Sequence, residues 1–198
     1  MNTYRRDELT FLGSHFTDLQ GMRVVPFGGM LILWFILELF WHGTAAVYWI
    51  GPLSLVAAIA GYMLAGVYYR RTFGVVRQYG ARIALHAAVS LGVYAVCVFL
   101  DGRQGLISVQ LLFWTCFFLW GYYASARRRK YLVPFAALFL LCALLPLSGA
   151  IQVDRLFPKS VGSGLGTLVV GIAFVLTGIL DHRLLVRSLP EPSRAGDD

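Results

Sequence analysis

The stretch Ala45–Tyr69 reads AAVYWIGPLSLVAAIAGYMLAGVYY, 25 residues without a charge, and is closed by Arg70-Arg71. At about 1.5 Å of rise per helical residue, roughly 20 such residues cross the ~30 Å hydrocarbon core of a bilayer. The stretch therefore predicts a transmembrane helix with a few residues to spare, which tilt or an overhang into the headgroups absorbs. Five more apolar blocks flank it: Val24–Trp41, Ile83–Leu100, Leu106–Ala124, Tyr131–Ile151 and Val161–Leu180. The expected fold is an all-α membrane protein, a six-transmembrane-helix bundle over residues 24–180. Composition agrees: the 198 residues are 58% hydrophobic and 14% charged, with a mean hydropathy of +0.68. A soluble domain has roughly 45–50% apolar and about 25% charged residues, so a water-soluble fold is excluded. The tails 1–23 and 181–198 and the connections are too short for a separate soluble domain, which leaves chemistry or binding to the bundle and its loops.

Charge orients the spans. With both termini cytoplasmic, the inner segments hold Arg5, Arg6, Arg23, Arg70, Arg71, Arg77, Arg82, the run Arg127-Arg128-Arg129-Lys130, Arg183, Arg187 and Arg194, fourteen in all. The outer segments hold three, Arg103, Arg155 and Lys159. That asymmetry is the positive-inside pattern. It also accounts for the net charge of +7, since basic residues at helix ends meet the anionic headgroups of the bilayer rather than nucleic acid. The first span is expected to act as an uncleaved signal anchor, because no small-residue cleavage site follows it. Cys97, Cys116 and Cys142 all fall within spans and read as small buried hydrophobes.

Ahead of the first span, Phe11, Leu12, His15, Phe16, Leu19 and Met22 recur at helical spacing. The pattern predicts an N-terminal amphipathic helix lying in the cytoplasmic headgroup layer; the alternative is that it packs on the inner mouth of the bundle. The loop Arg70–Arg82 carries Arg70, Arg71, Phe73, Arg77 and Tyr79, a basic and aromatic mixture that suits lipid contact or the docking of a cytoplasmic protein partner. The block Arg127–Lys130 reads as a stop-transfer signal between spans.

In lipid, helices associate where small residues let backbones approach. Ala57, Gly61 and Ala65 form such a seam in the second span, Ala84, Ala88 and Gly92 in the third, and Gly162, Gly166 and Gly171 in the sixth. These three spans are expected inside, with the bulky fourth (Phe113, Trp114, Phe117, Phe118, Trp120) facing lipid or a wide cavity. A homodimer through one seam is equally allowed.

Polar residues within spans are expensive and therefore informative. Glu38 is the one acid in the six blocks, and His42 follows one turn later. With Gln110, near the outer end of the fourth span, they could line a polar outer vestibule; otherwise Glu38 and His42 anchor their helix at the headgroups and Gln110 hydrogen-bonds between helices. Asp101-Gly102-Arg103 reads as a tight outer turn, and Asp181-His182 as the start of the cytoplasmic tail. No nucleophile with a base, pair of facing acids or metal-ligand cluster is recognisable, so neither enzymatic activity nor a cofactor is expected. The run Gly162-Ser163-Gly164-Leu165-Gly166 lacks the Lys-Ser/Thr of a phosphate loop.

The strings Leu19–Gly28 (LQGMRVVPFG) and Tyr68–Gly74 (YYRRTFG) resemble a group of small bacterial six-helix inner-membrane proteins that has no established activity. The resemblance implies a bacterial inner-membrane location. The plan of an in-plane N-terminal segment, six spans and a loop between spans two and three is also similar to exporter-type ABC permeases. Two functions follow as expectations: an accessory or regulatory subunit of a membrane complex, or a small permease subunit.

Overall fold

The structure is a computed structural model, and it describes residue 16 and residues 19–41, 45–73, 80–101, 107–125, 127–149 and 164–188. Among these residues there are six α-helices and no strand: α1 (Val25–Trp41), α2 (Ala45–Phe73), α3 (Gly80–Asp101), α4 (Val109–Ala124), α5 (Leu132–Leu144) and α6 (Leu165–Ser188). One 3-10 turn, Gly21–Arg23, leads into α1, and another, Leu145–Ser148, closes α5.

Among the described residues two helices are long and apolar enough to cross a membrane, α2 over Trp49–Phe73 and α6 over Leu165–Ser188. The other expected spans differ. Helices α1, α4 and α5 have 17, 16 and 13 residues. The α5 ladder stops early because Pro146 brings no amide donor, so the chain tightens into the 3-10 turn and leaves through Gly149 at φ 71°. Conversely, α2 continues through Arg70 and Arg71 to Phe73, and α6 passes beyond Leu180 to Ser188.

Glycine decides the tightest contact, an antiparallel pairing of α6 with α1 and its leading turn. Gly21 faces Gly178 and Gly28 faces Gly171, seven residues apart on each partner. A Cβ on Gly21 would fall 2.2 Å from the Gly178 carbonyl oxygen, and one on Gly28 would fall 2.7 Å from that of Gly171. Backbones this close leave no room for any other residue. Helix α2 packs on α1 with Gly61 against the Pro26 ring and the Trp34 indole donating to Ser54 Oγ at 2.6 Å. A second pair, α4 with α5, joins α6 in an apolar core of Leu111, Phe118, Leu132, Ala136, Phe139, Ala143, Val170 and Ala173. Edge-on rings knit this core, Phe118 with Phe139 at 5.1 Å and Trp114 with Phe174 at 5.0 Å between centroids.

Several sequence expectations change at this level. The α4 helix is not simply peripheral: Leu111, Thr115 and Phe118 are buried, while Phe117 and Trp120 remain outside. On α3 the small residues Ala88 and Gly92 face outward, and a Cβ at Gly92 would meet nothing within 4 Å; the side chain of Ala84 is outside the described residues. On α2 the inward face runs through Ser54, Ala58 and Tyr69, so Ala57 is exposed while Gly61 and Ala65 are half-buried. Gly166 and Gly171 of α6 are buried, and Gly162 is outside the described residues. Phe16 and Leu19 point into the bundle, packed with Tyr69 and Leu185, rather than toward headgroups. The remainder of that N-terminal stripe, before Phe16, is outside the described residues.

At the end of the bundle where α3 meets α4, Asp101 is buried instead of turning in solvent. Its carboxylate accepts from the amides of Val109 and Gln110 and from Ser108 Oγ, and Ser108 Oγ in turn accepts from the Leu111 amide. The first amides of a helix have no partner within it and carry partial positive charge, so a carboxylate folded over them is doubly favoured. The adjacent Gln110 is buried and its side-chain oxygen accepts from the Tyr94 hydroxyl of α3 at 3.0 Å.

Candidate functional site

The opposite end of the bundle collects the turn Gly21–Arg23, the last turns of α2, α4 and α6, and the first turn of α5. Most of the basic residues of the described chain fall here. Two polar clusters organise it, one on Asp181 of α6, which the sequence placed in the cytoplasmic tail, and one on Tyr69 at the end of α2, which reaches His182 of α6.

The first cluster is built on Asp181, which is 3% exposed. It accepts from Arg129 Nε at 2.7 Å, from Arg129 Nη2 and from the Tyr131 hydroxyl. Local chain geometry delivers the guanidinium. At the end of α4 the Arg127 amide returns to the Tyr122 carbonyl, with Arg127 itself in the left-handed region at φ 62°. The turn sends Arg127 back over the Tyr123 ring, at 5.7 Å from its centroid, and directs Arg129 into the bundle. Burial works against the Arg129 charge, but the Asp181 carboxylate and its hydrogen bonds outweigh it and hold the guanidinium above the ordinary arginine range. Arg129 is thus a structural cation rather than one of four equivalent stop-transfer charges.

The second cluster is built on Tyr69, fully buried at the end of α2. Its hydroxyl oxygen accepts from the Met22 amide at 3.2 Å and pairs with His182 Nδ1 at 3.0 Å. One hydroxyl thereby ties the turn before α1, the end of α2 and α6 together. The rings of Tyr68 and Phe73 meet the Tyr69 ring edge-on and tilted, and Phe16 closes the far side edge-on against Phe73 at 6.5 Å between centroids. Phe73, expected in the basic loop, is therefore the apolar end of this cluster.

Beside it lies a partly open cleft of about 440 Å³ lined by Met22, Val25 and Pro26, by Gly61, Leu64, Ala65 and Tyr68 of α2, and by His182 of α6. Arg23 packs on α2 against residues that do not line the cleft. Its guanidinium sits 5.3 Å from the centroid of the Tyr62 ring and against Gly66, where a Cβ would be 2.7 Å from Nη2. Arg23 Nε and Gln20 Oε1 are buried and find no hydrogen-bond partner among the described residues.

The sequence-selected residues divide as follows. Arg70 and Arg71 are exposed on the last turn of α2; Arg77 and Tyr79 are outside the described residues. Glu38 lies on the last turn of α1 with its side chain outside the described residues, as is His42, so the vestibule pairing is not among the described contacts. Gln110 is held on α3, with no Glu38 contact described. The acid and base that the fold uses, Asp181 and Arg129, stand 52 positions apart, and only the isolation of Asp181 at the edge of an apolar block could have drawn attention to it. No group of three or more His, Cys, Asp or Glu that could hold a metal occurs among the described residues. Comparison with protein families, with curated proteins and with solved structures finds no match.

Proposed function

We propose that the chain is a multi-pass protein of the bacterial inner membrane, with both termini cytoplasmic, acting without enzymatic chemistry as an accessory or regulatory subunit of a membrane complex. The observation that carries the reading is the outer face of α2. In its apolar window only 11% of residues are buried within the bundle, and Trp49, Leu53, Val56, Met63 and Leu64 project outward. A helix in the core of a soluble protein would be mostly covered, and soluble monomers rarely expose contiguous apolar patches beyond a few hundred Å². Lipid is the surrounding that makes such a face stable. The face ends in exposed Arg70 and Arg71, which suits anionic headgroups or an acidic surface on a cytoplasmic partner.

Purification of the intact protein in mild detergent tests the reading. A stoichiometric protein partner is expected, with its recovery lost when Arg70, Arg71 and Arg77 are all replaced by alanine. Recovery of an ATPase would favour the permease alternative, and recovery of monomer or homodimer alone would refute the accessory role.

A further inference from the structure

The Tyr69 hydroxyl satisfies both of its partners in only one charge state of His182. A phenol has one proton to give and lone pairs to receive. The Met22 amide donates to its oxygen at 3.2 Å, so the hydroxyl proton is left for His182 Nδ1 at 3.0 Å. That makes His182 the neutral imidazole with its own proton on Nε2. Its half-buried ring also lines the partly open cleft, where a proton can reach it. Histidine ordinarily changes charge between pH 5 and 8. Once protonated, Nδ1 is a donor, and two donors converge on one oxygen. The displaced hydroxyl proton finds no other acceptor among the described residues, and Tyr69 is fully buried, so water does not replace the lost bond. A hydrogen bond from a cation is the stronger, so the longer, neutral bond from Met22 is the one that yields.

The charges around the ring are few. On α6 its neighbours in sequence are Asp181, whose carboxylate is engaged by Arg129 and Tyr131, and the exposed Arg183. From α2 it meets the rings of Tyr68 and Tyr69, with Arg70 and Arg71 exposed beyond them. The turn before α1 brings Met22 to the same cleft, followed by Arg23 on Tyr62. Among the described residues Asp181 is the only acid at this end, and it acts on the hydroxyl together with the opposite charge of Arg23.

We infer that Tyr69 and His182 form a pH-sensitive latch on the turn leading into α1, closed while His182 is neutral and opened when its protonation displaces the Met22 amide. Opening loosens the Gly21–Arg23 turn from the end of α2, while the Gly21 and Gly178 backbones still hold it against α6. The latch is present above the histidine range and lost as the pH falls through it. It stands on contacts within the chain and is independent of the accessory role.

Amide hydrogen exchange of the full-length protein in mild detergent, expressed as protection factors so that the intrinsic pH dependence of exchange is removed, tests the latch at Met22. Protection there should fall at least tenfold between pH 7.5 and pH 5.5, with the amides of Phe135–Phe139 in α5 unchanged. His182→Gln, which accepts from the hydroxyl but takes no proton, should keep Met22 protected at both pH values. Tyr69→Phe should leave it weakly protected at both. Replacing His15, His42 and His86 together by glutamine should leave the response as it is in the wild type. A flat wild-type profile, a response that survives His182→Gln, one that disappears with the other three histidines, or an equal loss in α5 would overturn the inference. A readout on the unaltered chain stands beside the variants. The ring nitrogens of His182, assigned by nitrogen-15 resonance through contact with the Tyr69 ring, should show Nδ1 bare and Nε2 protonated at pH 7.5. A proton on Nδ1 at that pH would overturn the latch however the variants fold.

Discussion

Removing the Asp181 carboxylate should be among the most damaging single changes available in this protein. Asp181→Leu deletes an acceptor of two guanidinium bonds and one phenol bond, and strands Arg129, whose side chain is 14% exposed, without its counter-charge. Leaving one member of a buried ion pair uncompensated typically costs about 3–5 kcal/mol, against roughly 0–1 kcal/mol for an exposed pair. The low exposure of both partners places this pair with the former. The double change Arg129→Met with Asp181→Leu removes the stranded charge along with the pair, so it should recover a large part of the loss, as buried pairs replaced by apolar residues often do. Reversible unfolding in mixed micelles titrated with dodecyl sulfate, followed by helicity, gives the free energies for a double-mutant cycle. Strict additivity of the two single changes, or a cost for Asp181→Leu below about 1 kcal/mol, would refute the assignment of Arg129 and Asp181 as a buried couple.

Three other outcomes follow from the packing. Gly178→Ala sets a methyl group 2.6 Å from the Gly21 carbonyl oxygen and should cost about 1–3 kcal/mol as overpacking; Gly92→Ala, in open space on α3, should be neutral or stabilise by about 0.5–1 kcal/mol through helix propensity, and both can be read in the same unfolding assay. Ser54→Ala deletes the acceptor of the Trp34 indole and should cost about 0.6 kcal/mol, the average for such bonds between membrane helices, whereas Tyr69→Phe, which orphans the Met22 amide and a His182 nitrogen together, should cost more, about 1–3 kcal/mol. Cys116, exposed midway along α4, should resist a membrane-impermeant maleimide in intact membranes and react once dodecyl sulfate unfolds the chain; rapid labelling of the folded protein would place that face in water.

How much could be read in advance depended on whether a property is local. The helical blocks lie close to where the apolar runs place them, because helix formation in a 20-residue apolar stretch is set by the stretch itself. The alternation of basic ends was legible for the same reason: the ends of α2, α4 and α6 and the starts of α1 and α5 meet where their arginines cluster. Gly171 could be singled out as a close-approach residue from its type, but its partner Gly28 could not, since nothing along the chain says which glycine faces which. The α3 seam of Ala88 and Gly92 carries the same small-residue pattern and faces open space. A small side chain permits close packing and does not cause it.

Sequence by itself determined that this chain is built of apolar helices with positive charge gathered at one end, since transfer free energy and 1.5 Å per residue act on each segment separately. Only the tertiary structure decided which polar groups are internal. Asp181 and Asp101 became buried acceptors, Arg129 left its basic run to join the core, and Phe16 and Leu19 turned onto the bundle. The physical reason is that an all-apolar helix shows no preferred face in its sequence. Where lipid and protein interior are equally apolar, faces are chosen by backbone proximity and paired polar groups, and those are properties of two helices at once.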